Sequence, residues 1–155
     1  ARLFYTQGDY GLFQCARNCS GETYDNERQV REMAGRQKDQ RVPSELVPRC
    51  PRCGAPMVPN LRVDGTFYED RGWHEAASRY RAFCEAHSGD RVLYLELGVG
   101  DNTPVIIKYP FWNAVGRNGH ATYTCVNIGG ACAPATIAGR SILVDDDIDE
   151  LIQNV

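Results

Sequence analysis

The sequence predicts an α/β protein in which part of a doubly wound parallel sheet carries an inserted four-cysteine module. Three observations carry that expectation. Between Trp73 and Gln153, strand-like runs, Gly-rich turns and helix-like runs alternate, which is the rhythm of a parallel sheet with crossover helices. Cys15, Cys19, Cys50 and Cys53 form two close pairs separated by a stretch of different character. No G-x-G-x-x-G or comparable pyrophosphate loop occurs, whereas a dinucleotide fold uses two such halves, so only one half is expected here.

Each element has its own warrant. Leu3 to Thr6 is a short β-prone run that reads as a strand ending at Gly8. Glu22 to Gln37 is rich in helix formers, with Val30 and Met33 three apart among many charges, predicting an exposed amphipathic helix. Pro43 and Pro48 bracket a connector, and Met57 to Val63 reads as a strand weakened by Pro59. Trp73 to His87 is a helix with Ala76, Tyr80 and Cys84 spaced by four. Arg91 to Leu97 is a strand closed by Gly98-Val99-Gly100, after which Thr103-Pro104 reads as a helix start with Thr as N-cap. Ala121 to Ile128 and Ser141 to Val144 are further strands, and Asp147 to Gln153 is a closing helix.

Composition narrows the function classes. The 155 residues suffice for one ordinary core, with about 68–70% of the unfolded surface buried at this size. A net charge of −3, with acidic residues dispersed through the basic run Arg28 to Arg41, gives no support for a nucleic-acid-binding face. The longest apolar stretches are strand-sized, too short to span a membrane, and no secretory core follows Arg2. Seven cysteines without an export signal favour a reducing, cytoplasmic setting and metal ligation over a disulfide framework.

The spacing C-x3-C, then a long interval, then C-x2-C suits a closed tetrahedral zinc site, structural because no position is left for water. Pro51 rigidifies the second turn, and Gly54 lets backbone amides approach the thiolates. Cys84 with His87 reads as a buried thiol and a half-exposed imidazole, not as ligands; Cys125 and Cys132 read as core or loop residues. His74 and His120 have no companions for a catalytic triad. The glycines between Gly98 and Thr103 would let a ligand approach the backbone.

In order along the chain, Thr6-Gln7-Gly8, the two cysteine pairs, Leu61-Arg62-Val63-Asp64, Gly98-Val99-Gly100 with Asn102-Thr103-Pro104, Val126-Asn127 and Asp147-Ile148-Asp149-Glu150 resemble the motifs of the sirtuins. The likeness spans essentially all of the chain. It implies a Rossmann-like NAD-binding domain, with residues 1–12 and 63–155 as its C-terminal part and residues 13–62 as the zinc-binding insertion. It further implies NAD contacts from Gly98, Val99, Gly100, Asn102, Thr103, Asn127 and Ile148.

Two departures sharpen the likeness. Gln7 stands where deacylating sirtuins carry a histidine base, and glutamine cannot accept a proton near neutral pH. The FGE element that follows the Leu-Arg-Pro of deacylases has no counterpart after Val63. The stretches Leu3 to Gly11, Val42 to Leu46 and Leu95 to Gly100 are similar to class M sirtuins. That likeness implies protein ADP-ribosyl transfer with Gln7 and Arg62 in the transfer step. It also implies a lipoylated glycine-cleavage H-like protein as substrate and a macrodomain protein as functional associate. A sirtuin-type lysine deacylase and an inactive zinc-stapled binding fragment are the alternatives. The chain by itself is expected neither to turn over nor to hold NAD tightly.

Overall fold

The computed structural model describes residues 2–153, and residues 1, 154 and 155, the outer limits of the expected domain division, lie outside the described residues. The protein is mixed α/β and comprises two compact units, Ala1–Arg81 and Ala82–Val155.

The first unit is built on an antiparallel sheet of β1 (Gly8–Cys15), β2 (Thr23–Asp25) and β3 (Met57–Leu61), with β1 in the centre. It also holds α1 (Glu27–Arg36), a 3-10 turn at Ser44–Leu46, and the start of α2 (Arg71–Ala86). β1 runs across residues 12 and 13, where the sequence placed a domain boundary. The strand begins at Gly8 instead of ending there, which corrects the expectation for Leu3 to Thr6. Those residues are taken up otherwise: the Phe4 ring packs edge-on against Trp73 at 5.1 Å, and the Trp73 indole N–H donates to the Thr6 carbonyl.

The pairing of β1 with β3 is irregular between Asp9 and Phe13, and buried Asn26 fastens the irregularity. Its side-chain amide donates to the Tyr10 carbonyl at 2.7 Å and its backbone N–H to the Gly11 carbonyl at 3.0 Å. This is why the predicted helix from Glu22 starts late. Residues 23–25 pair with β1, and the helical path opens only after Asn26. α1 buries no residue, in keeping with the expected exposed helix. Pro59 is tolerated because β3 lies at a sheet edge, where a missing N–H leaves no ladder position empty.

The second unit contains β4 (Leu93–Leu97), α3 (Lys108–Arg117), β5 (Thr122–Val126), a 3-10 segment at Ala135–Arg140, β6 (Ser141–Val144) and α4 (Ile148–Gln153). All pairings are parallel, in the order β4-β5-β6. Val115, Ala121, Tyr123, Cys125 and Ile137 form its core, with Val92, Tyr94, Phe111 and Trp112 packed around them. Arg140 closes the end of α3 by donating to the Val115 carbonyl in its last turn, which a helix C-terminus leaves unpaired, and to the Asn118 and Ala121 carbonyls just beyond it.

The expected helix start at Thr103-Pro104 is a further correction. Residues 101–107 form turns, and the helix begins at Lys108. Pro110, not Pro104, occupies the first helical turn, where a proline removes an N–H that has no partner in any case.

Candidate metal centre and active-site segments

Cys15 ends β1 and Cys19 follows on a turn, while Cys50 and Cys53 sit on a tight knuckle. In the knuckle the Gly54 N–H donates to the Cys50 carbonyl at 2.9 Å, and Gly54 adopts a φ of +72° that side chains disfavour. Cys15 and Cys50 are buried; Cys19 and Cys53 are exposed. The four sulfurs lie within 4.8 Å of one another. Cys15 and Cys53 stand 3.6 Å apart and Cys19 and Cys50 3.5 Å apart. Four thiolates at about 2.3 Å from a central zinc would stand about 3.8 Å apart, so the set fits a tetrahedral ion such as zinc. The Cys19 and Arg17 backbone N–H groups favour the Cys15 thiolate against its burial, bringing its pKa down to about 6. The Cys53 and Cys50 sulfurs, followed by burial, push Cys19 up to about 12. Backbone N–H groups of Cys53 and Arg52 lower Cys50. A cluster that divides its protons so unevenly is poised to become fully ionised only around a cation.

At the opposite end of β1, on the order of 20 Å away at strand rise, the sheet register brings Gln7 and Arg62 together. Gly8 pairs with Leu61, and the Arg62 N–H donates to the Gln7 carbonyl at 2.9 Å. Gly8 has a φ of +99°, and a Cβ there would lie 2.0 Å from the Asn60 carbonyl oxygen. The close approach of the two segments therefore requires glycine. Beneath them, Asn60 donates to the Gln14 side-chain oxygen (2.7 Å) and to the Tyr68 carbonyl (2.9 Å). Gln14 in turn donates to the Thr66 carbonyl and accepts from the Tyr68 N–H. This buried network folds residues 62–70 back onto the sheet, so that the Arg62 guanidinium lies 4.3 Å over the Phe67 ring and pairs with Glu69. Asp70 then caps α2 by accepting from the Trp73 N–H at 2.8 Å.

In the second unit, four of the residues singled out from the sequence meet at the carboxyl end of the parallel sheet. Gly98 turns with a φ of +62°, and a Cβ there would lie 3.2 Å from the Ile148 side chain. Asn127 donates through its side chain to the Val99 carbonyl at 3.2 Å and through its backbone to the Val144 carbonyl. Gly100, Asn102 and Thr103 lie exposed on the same loop, farther along. The carboxyl ends of parallel strands are where open α/β sheets bind ligands.

Sequence reasoning missed the buried polar cluster beneath that loop. Lys108 and Glu96, both almost fully buried, pair at 2.6 Å. Tyr123 donates to the second Glu96 oxygen at 2.8 Å, and the Cys125 thiol lies 3.4 Å from the first. Burial pulls the Lys108 pKa down, but the hydrogen bond and charge of Glu96 outweigh it and the net shift is upward. Burial raises Tyr123 and Cys125, keeping both neutral. The available signal was a charge, Glu96, within a strand of an expected parallel sheet, where both faces are normally covered and a charge requires a partner. Cys84 is half-buried, His87 pairs with Asp90 at 2.6 Å, and Cys132 is exposed, as residues outside a metal site.

No family model matches the chain. It is 40% identical over 151 residues to a Staphylococcus aureus protein named "Protein ADP-ribosyltransferase". The likeness to that transferase runs along nearly the whole of this chain. It is also 28% identical over 124 residues to a Fusarium oxysporum f. sp. cubense protein named "Probable bifunctional ADP-ribose hydrolase/ADP-ribosyltransferase". The matches cover 97% and 76% of this chain but only 48% and 20% of the two relatives. The chain thus spans less than half the length of either curated relative. Among the described residues, no helix is long and apolar enough to cross a membrane.

Proposed function

We propose that this chain forms part of an NAD-dependent, sirtuin-type protein ADP-ribosyltransferase whose substrate is a lipoylated carrier protein. The observation that carries the reading is the 40% identity to a protein ADP-ribosyltransferase across nearly the whole chain. Supporting it, the backbone bond between Gln7 and Arg62 joins the two segments for which a transfer role was expected. In this reading the second unit is part of a Rossmann-like doubly wound sheet. Its parallel strands support this, as do Leu93, Leu95 and Leu97, exposed along one face of β4 where such sheets are normally covered.

Bound NAD would supply the ADP-ribosyl group, its bond to nicotinamide breaking with the electron pair leaving on nicotinamide while the acceptor's nucleophile bonds to the freed ribose carbon. Gly98 admits the ligand to the backbone, and Val99, Gly100, Asn102 and Thr103 line the same loop. Asn127 and Ile148 complete that end of the sheet. Gln7 orients by hydrogen bonding and, having no titratable group, takes no proton. Arg62 positions an acceptor carboxylate or stabilises charge. The four cysteines hold one structural zinc ion and fix β1, keeping the metal remote from the reacting atoms.

The reading is tested by incubating the complete protein with NAD and an H-like carrier, lipoylated or not, and following the carrier by intact mass. A mass gain of one ADP-ribose on the lipoylated carrier, lost in Gln7→Ala and Arg62→Ala, is expected. Release of O-acyl-ADP-ribose from an acyl-lysine peptide instead would establish the deacylase alternative. The macrodomain association predicts that an ADP-ribose hydrolase reverses the mark.

A further inference from the structure

In the first unit the turn after β3 brings the Glu69 carboxylate against Arg62, a pairing that the sequence motifs do not announce. The Glu69 carboxylate accepts from the Arg62 guanidinium at 2.5 Å, and the Phe67 ring lies 4.3 Å beneath it. Trp73 lies 5.8 Å away on another side. The two charged side chains are 35% and 34% exposed, so solvent reaches the pair and it contributes little to folding. The cost of presenting Glu69 there is carried by buried groups instead. Gln14 and Asn60, bonded to each other, hold the turn from Arg62 to Asp70 by three hydrogen bonds, and Asp70 is tied to Thr23 and to the start of α2. A loop built this firmly around a surface ion pair of small stabilising value calls for another reason.

We propose that Glu69 is a positioning residue for Arg62. Its carboxylate and the Phe67 face hold the guanidinium in one orientation at the backbone pair with Gln7, leaving the remaining guanidinium donors for the acceptor. Guanidinium has five N–H donors in a rigid fork, so engaging one edge fixes the plane without exhausting it. Glu69 takes no part in bond making: it transfers no proton and touches neither the ribose nor the acceptor. Its effect comes through Arg62 alone. The proposal rests on the transferase reading of Arg62.

The test uses the complete protein with NAD and its carrier acceptor, comparing Glu69→Ala with Glu69→Gln, whose amide oxygen still accepts the Arg62 hydrogen bond. Misplacing a positioned group by about 1 Å costs up to ~10²-fold in rate. Glu69→Ala is expected to lower kcat about 10–100-fold, to leave the acceptor KM within about threefold, and to move the melting temperature by under about 4 °C. Glu69→Gln is expected to recover most of that kcat. Unchanged or increased turnover in Glu69→Ala, an effect on KM alone, or equal damage from both variants would each overturn the proposal. Nitrogen-15 NMR of the Arg62 side chain gives a readout independent of turnover. Restricted guanidinium rotation is expected in the unmodified protein and in Glu69→Gln, with release in Glu69→Ala; free rotation in all three refutes the clamp. An unmodified protein that transfers no ADP-ribose refutes the transferase reading, and the NMR comparison then decides the clamp by itself.

Discussion

The two units solve the same problem, holding a three-stranded sheet together, with different chemistry. The second unit has a continuous apolar core beneath α3, sealed by one buried ion pair. In the first unit, the cluster at the cysteine end consists of Cys15, Cys50 and Ala55 with Met57 against them. Farther along its sheet, buried Gln14 and Asn60 occupy positions that hydrophobic residues fill elsewhere. An apolar core gains stability roughly in proportion to the area it buries. A thiolate cluster gains it only when a cation is bound, but then fixes its segments within tenths of an ångström. The unit that carries Gln7 and Arg62 is the one with the four-cysteine cluster, and fixed placement is what a pair of surface loops needs to act together.

The sharpest way to break the comparison is at Cys50. Zinc contributes an apparent ~10–16 kcal/mol in small structural sites, so Cys50→Ser is expected to abolish ordered structure in the first unit while leaving the second folded. Amide hydrogen exchange with bound-zinc analysis checks it, and retained protection on β1 in a zinc-free variant would sink the contrast. The opposite experiment is Lys108→Met. It strands Glu96 as an unpaired buried charge, with an expected loss of about 3–5 kcal/mol confined to the second unit. Denaturant unfolding measures this, and pairing the change with Glu96→Gln is expected to restore part of the loss.

Smaller in effect, Gly8→Ala forces a side chain onto the Asn60 carbonyl at a positive φ, with an expected cost of about 1–3 kcal/mol. Because that strain falls at the Gln7–Arg62 pair, transfer is expected to decline more than stability does, which parallel rate and melting measurements would resolve. The mildest perturbation is pH. With its pKa near 12, Cys19 keeps its proton in the metal-free protein through the neutral range and must lose it to bind metal. The metal-bound form therefore holds fewer protons, and its stability rises with pH. Zinc affinity is expected to fall at least about tenfold per pH unit below pH 9, and more steeply below pH 6, where Cys15 also takes up its proton. A chelator competition series across that range measures the slope; an affinity independent of pH would contradict it.

Legibility followed the range of the interactions. Cysteine spacing announced its cluster because ligand chemistry is written into residue type, and the structure gathers those four sulfurs. Ser141 to Val144 was found with its limits, because its strand character is local. Leu3 to Thr6 and Thr103-Pro104 misled because their signals were local while their fates were not: Phe4 is claimed by Trp73, and the start of α3 by Lys108 turning to Glu96. Gln7 and Arg62 could be singled out individually, yet their backbone bond depends on a register between strands about fifty residues apart.

By itself, then, the sequence determined the α/β character, the four thiols that could share a metal ion and the glycines at which the backbone must turn or be approached. Only the tertiary structure decided that β1 and β3 form an antiparallel pair with Gln7 and Arg62 at its end, and that Glu69 meets the arginine. It alone buried Glu96 and Lys108 together. The reason is physical. Ligand type and backbone permissiveness belong to single residues, whereas a charge or an amide acquires its role from the partner that folding brings to it.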